Sequence, residues 1–200
     1  FDTIYHEHFS YLSLHAVERV FAKHGLTLFD VEELPTHGGS LRIYARHSKD
    51  ISKPVGARIT ELREREAQAG FDTLQHYLNF ASQVETTKRK LLTFLIEAKE
   101  KGKAVVGYGA PAKGNTLLNY CGVRTDFLDY TVDRSPYKQE HLLPGVRIPI
   151  FHPDKIKATK PDYVLILPWN IRDEVMQQMS YIREWGGKFV VPIPEVKILS

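Results

Sequence analysis

The stretch Lys103-Ala-Val-Val-Gly-Tyr-Gly-Ala-Pro-Ala-Lys-Gly-Asn115 constrains the chain more than any other. A short apolar run, 104–106, turns through Gly107 and Gly109 into a helical stretch from about Ala112. Strand, glycine turn and helix start are the layout a bound phosphate needs. Glycine lets the backbone come close, and the first unpaired helical N–H groups point at the anion. Lys113 and Asn115, on the first helical turn, add a positive charge and a donor. The spacing departs from the dinucleotide fingerprint Gly-x-Gly-x-x-Gly, because Gly114 comes two positions late. A phosphate or nucleotide cradle and a plain strand-to-helix turn both stay open, and a nicotinamide site is the weaker reading.

From 103 onward, apolar strands alternate with helices. The pattern predicts strands at 104–109, 127–133, 163–167 and 189–191, with helices at 112–121 and 171–185. Apolar strands alternating with helices argue for a parallel sheet covered on both faces, hence a doubly wound, Rossmann-like α/β layer. Residues 134–161 read as a long, partly extended loop with a short helix near 153–158. Ligands of such sheets bind outside the carboxyl ends of the strands. Those ends collect Gly107, Tyr108, Gly109 and Lys113, then Asp133, Arg134, Ser135 and Tyr137, then Pro168, Trp169 and Asn170. Asp133 stands where a ribose-binding acid would stand, or it caps its own loop. Trp169 stacks on a base, or it packs at the sheet end.

The front of the chain reads differently. Ser13 is a candidate N-cap for a helix over 14–24, in which Leu14, Val17, Val20 and Phe21 share a face and Gly25 stops the turn. Strands over 27–34 and 41–47 follow, joined by the turn-rich 35–40. Forty-eight residues of this kind are too few to bury a core of their own. A linker at 49–56 and a charged helix at 57–69 lead to a long helix at about 72–101. Its stripe of Leu74, Leu78, Ala81, Val84, Leu91, Leu95 and Ala98 reads as packing.

Composition narrows the function classes. The chain is 42% hydrophobic and 26% charged, and no apolar run approaches a membrane span. Its one cysteine, Cys121, allows no internal disulfide and no cysteine-based metal site, so a cytoplasmic protein is expected. A net charge of +3 is too small to argue for nucleic acid. Six of nine histidines fall in the first 48 residues, and the densest titratable run is Tyr5-His6-Glu7-His8. Three readings compete for it. His6 and His8 could ligate a metal with His37 or Glu7. They could be buried loop histidines. Or a histidine, raised and oriented by a carboxylate, could take a proton from carbon beside a carbonyl while a tyrosine steadies the enolate.

The segments FDTIYHEHFSYLSLHAVERVFAKHGL, LPTHGGSLRIYARH, GYGAPAKGNTLLNYCG and LPWN, in this order, resemble the sugar-nucleotide C-methyltransferases. The resemblance implies S-adenosylmethionine-dependent methylation at C3 of a 4-keto deoxysugar carried on a nucleoside diphosphate, usually dTDP. It implies that 1–48 ends a methyltransferase domain of class I fold, that 49–101 are linking helices, and that 102–200 form the C-terminal Rossmann-like domain. His8 matches the base that removes the C3 proton, with Tyr5 and Glu7 as its neighbours. Gly107, Gly109, Lys113, Asn115, Asp133, Trp169 and Asn170 become candidate substrate contacts. The loop that binds the methyl donor and the zinc-binding cysteines are expected before Phe1, so residues 1–200 alone should neither bind the donor tightly nor turn over. No metal site, membrane or nucleic-acid partner is expected within the chain. The alternatives are a nucleotide or sugar-nucleotide binding module without catalysis, an NAD(P)-dependent oxidoreductase, and a metal-dependent hydrolase.

Overall fold

A computed structural model describes residues 8–36 and 39–200. They divide into two compact units, one reaching to Gln83 and one running Val84–Ser200. Among the described residues no helix is long and apolar enough to cross a membrane.

The first unit packs two helices on a β-hairpin. Helix α1 (Leu14–Lys23) starts at Ser13, whose hydroxyl accepts the Ala16 N–H. Strands β1 (Leu26–Leu34) and β2 (Ser40–His47) pair antiparallel, with a register shift between Leu28 and Asp30. That shift inserts Phe29 as an extra residue, so Leu28 and Val31, three apart, both reach the core. Helix α2 (Ala57–Gln68) completes the small core: Ile59 and Leu62 meet Leu14, Leu28 and Val31. Glu66 of α2 is 9% exposed and accepts the Leu14 and His15 N–H groups at 2.7 and 2.9 Å. A carboxylate from one helix therefore caps the positive end of another.

Helix α3 (Leu74–Glu100) runs from the first unit into the second. Its stripe is only half buried: Leu91, Leu95 and Ala98 lie in the core, whereas Leu74 is 73% and Leu78 59% exposed. The expectation of packing along the whole stripe is corrected to its last turns, the part that faces the sheet.

The second unit is built on a six-stranded sheet. Its strands are β3 (Val105–Tyr108), β4 (Thr131–Val132), β5 (Ile150–Phe151), β6 (Tyr163–Ile166), β7 (Lys188–Val191) and β8 (Lys197–Leu199). Their order is β5-β4-β3-β6-β7-β8; the first five are parallel and β8 is antiparallel. Helices α4 (Ala112–Cys121), α5 (Asp154–Thr159) and α6 (Arg172–Gln178) bring Leu117, Ile156 and Val175 into one core with Leu165 and Phe189. This is an α/β fold with a mostly parallel, Rossmann-like sheet, preceded by helices and a β-hairpin. The chain steps outward from β3 to β5, then crosses back to lay β6 on the other side of β3. That reversal puts the topological switch point between β3 and β6, where sheets of this kind leave a crevice.

Three local expectations change. The strand foreseen at 127–133 shortens to two residues, because Phe127 and Leu128 turn back to donate to the Arg124 carbonyl. The loop foreseen at 134–161 contains β5 and a turn closed by the Leu142–Pro149 bridge, and it buries Leu143, Val146 and Ile148. The single helix foreseen at 171–185 splits into 3-10 turns at Trp169–Ile171 and Ser180–Trp185 with α6 between.

Candidate functional site

The glycine turn after β3 is filled by the protein itself. A Cβ on Gly107 would stand 2.6 Å from Thr131 Oγ1, and one on Gly109 would stand 2.6 Å from Pro168 Cδ. Gly109 also has φ +89°, which glycine adopts without strain. Two N–H groups of the turn are engaged: Gly109 donates to the Val132 carbonyl at 2.6 Å and Ala110 to Asp133 Oδ2 at 2.7 Å. Thr131 Oγ1 donates to the Gly109 carbonyl at 2.8 Å. Gly114, late in the fingerprint, still does what a third glycine does. Its missing Cβ leaves room for Leu167, whose Cβ would be 2.8 Å away, so α4 sits close on the end of β6.

The open space lies one step outward, over the switch point. A cleft of about 220 Å³ is lined by Tyr108, Asp133, Arg134, Lys138, Glu174 and Gln178, with Pro168 and Val175 among its apolar walls. That volume is below the 300–1,000 Å³ typical of pockets that hold a whole drug-sized ligand, and suits a diphosphate or a pentose. Two cations stand on the loop after β4. Lys138 Nζ donates to Asp133 Oδ2 at 3.3 Å and to the Ala110 carbonyl at 3.1 Å. Arg134 Nη1 donates to Gln178 Oε1 at 3.4 Å. Tyr108 is buried and its hydroxyl donates to the same Gln178 oxygen at 3.2 Å. Burial pushes the Tyr108 hydroxyl above the ordinary tyrosine range while nearby Arg134 pulls the other way, so a neutral donor faces the cleft. Gln178 Nε2 donates to Glu174 Oε1 at 2.7 Å.

The residues singled out in the sequence fall in several places. Gly109 and Asp133 line the cleft. Asp133 also holds the loops together, since Oδ1 accepts the Ser135 N–H at 2.8 Å and Oδ2 accepts from Ala110 and Lys138. Gly107 is a packing position under Thr131. Lys113 lies over the Trp169 ring, 4.7 Å from its centroid, and Trp169 is 6% exposed in the core. Asn115 Oδ1 accepts from Asn119, whose Nδ2 also donates to the Pro144 carbonyl at 2.9 Å. Asn115 thus pairs with the residue that contacts the turn at 144–145. Asn170 is exposed on the 3-10 turn after β6. His8 is half-buried before α1, its ring edge-on to Tyr11 at 6.1 Å. Tyr5 and Glu7 lie outside the described residues, as do His6 and His37 of the metal reading. Among the described residues no group of His, Cys, Asp or Glu could hold a metal ion.

Glu174 and Gln178 had no chemistry assigned to them from the sequence. They stand on the helix whose other face puts Val175 and Met179 into the core. The signal is a carboxylate and an amide four apart, on the helix that follows a strand end.

The family model described as the C-methyltransferase C-terminal domain matches residues 35–194. The chain is 37% identical over 200 residues to the C-methyltransferase NovU of Streptomyces niveus. All of the chain is aligned but 47% of that relative, so the chain spans about half the relative's length. The crystal structure of UDP-D-quinovosamine 4-dehydrogenase from Vibrio fischeri matches 49% of this chain and 93% of its own, at TM-score 0.37 and 19% identity. With the match to four-fifths of its length, the chain belongs to the C-methyltransferase C-terminal domain family.

Proposed function

We propose that the chain is part of an S-adenosylmethionine-dependent C-methyltransferase acting at carbon beside the ketone of a nucleotide-linked 4-keto deoxysugar, with dTDP as the carrier. The observation that carries this reading is the family match joined to the cleft over the switch point. A polar crevice that carries Arg134 and Lys138 beside Asp133 and Glu174 lies where Rossmann-like sheets take nucleotides. In this reading residues 102–200 form the nucleotide-holding domain, 49–101 link, and 1–48 end the methyltransferase domain.

His8 is the general base. It takes the C3 proton, the enolate forms beside it, and Tyr5 and Glu7 steady the enolate and orient the imidazole. S-adenosylmethionine supplies the methyl group. The glycine turn of the rear sheet is packed against Thr131 and Pro168, which counts against it as the donor's cradle. This reading assigns the donor and the zinc outside residues 1–200, so these residues alone should not turn over. The same filled turn counts against the nicotinamide alternative. A cytoplasmic setting belongs with a nucleotide-sugar substrate.

The test is proton exchange at C3 of the keto sugar in heavy water, followed by NMR with the complete methyltransferase. His8→Asn should slow exchange by about 100-fold or more, the scale of general-base catalysis. Unchanged exchange removes His8 from the base role.

A further inference from the structure

The two cations of the cleft are not equivalent. The Lys138 ammonium is spent on Asp133 Oδ2 and the Ala110 carbonyl, so it braces the loop after β4 against the glycine turn. Among the described residues Arg134 has no carboxylate within ion-pair distance, and its hydrogen bond goes to the neutral oxygen of Gln178. A guanidinium has five N–H donors in a planar fork, and one is used. Gln178 is itself fixed. Its oxygen receives Tyr108 and Arg134, and its nitrogen is held by Glu174, so the amide can sit only one way round.

We propose that Arg134 is the residue that grips the diphosphate of the nucleotide, and that Gln178 is a positioning residue that holds the guanidinium over the cleft. This rests on the reading that the cleft takes a nucleoside diphosphate. The Tyr108 hydroxyl, a donor on the same oxygen, completes the support from the floor of the cleft. The geometry favours a bidentate grip on two anionic oxygens, which a lysine point charge does not reproduce.

The experiment is calorimetric titration of dTDP, and of uncharged thymidine, into the 200-residue chain and its variants. Arg134→Ala should weaken dTDP by about 10- to 100-fold, the range of a charge-assisted contact, and leave thymidine unchanged. Gln178→Ala should weaken dTDP by about 3- to 10-fold, again sparing thymidine, and should add nothing in the Arg134→Ala background. Lys138→Gln should lower the unfolding temperature while changing dTDP affinity less than Arg134→Ala does. A Gln178→Ala loss that persists in full without Arg134, or that falls equally on thymidine, overturns the positioning role. If wild type binds dTDP and Arg134→Ala binds it as well, the grip is overturned while the nucleotide reading stands. If wild type binds no dTDP, the nucleotide reading itself fails.

Discussion

At Gly109 two demands meet in one residue. Its φ of +89° is open to glycine, and a Cβ there would enter Pro168. Gly109→Ala should therefore lose about 1–3 kcal/mol or more of stability, by strain and overpacking together, read as a drop in the denaturant midpoint. The sequence shows the glycine but not its reason. A glycine before a helix reads the same whether a ligand or a proline fills the space, and Pro168 is distant in the chain. Asp133 is a similar case: both oxygens serve backbone amides and Lys138, and the sequence alone left ribose acid and loop cap equal. Cys121 gives a titration at the same scale. Burial pushes its thiol up to about 11 from an ordinary 9. A raised folded-state value favours the neutral form, so its contribution is complete below pH 9 and is lost as pH rises through about 11. Between pH 9 and 10 the wild type should lose stability faster than Cys121→Ala, by up to about 1.4 kcal/mol per pH unit. Equal losses of unfolding free energy in the two proteins between pH 9 and 10, by denaturant titration, would contradict this.

Elements with strong periodicity were readable: α1, β1, β2, α4 and the strands β3, β6 and β7 stand within a few residues of their expected places. Short pieces were not. Strands β5 and β8 hold two and three residues, and prolines flank the first. Such strands are set by the neighbours they pair with, which local pattern does not report. Helix α3 shows the limit from the other side. A stripe announces an apolar face but not how much of it finds a partner. Leu95 is fully buried and Leu74 is 73% exposed. Leu95→Ala should cost about 2–5 kcal/mol, and Leu74→Ala no more than about 0.5 kcal/mol, by urea unfolding. Equal losses would mean that the first half of α3 buries its stripe in a core just as the second half does. The cleft was half legible for the same reason. Its strand-end residues were visible in sequence, but Glu174 and Gln178 come from the helix beyond β6, and only the sheet order brings them to Arg134.

For the whole molecule, family membership and fold agree, and the substrate is the step beyond them. A sheet whose strand order reverses between β3 and β6 carries a small polar crevice at that reversal. In the proposed function the crevice, not the closed glycine turn, holds the nucleotide. The most direct measurement is a crystal structure of the chain grown with dTDP. Density for the diphosphate is expected over the ends of β3 and β6, within hydrogen-bond distance of the Arg134 guanidinium. Nucleotide density at any other surface of the second unit, with this crevice holding only solvent at saturating dTDP, would contradict it.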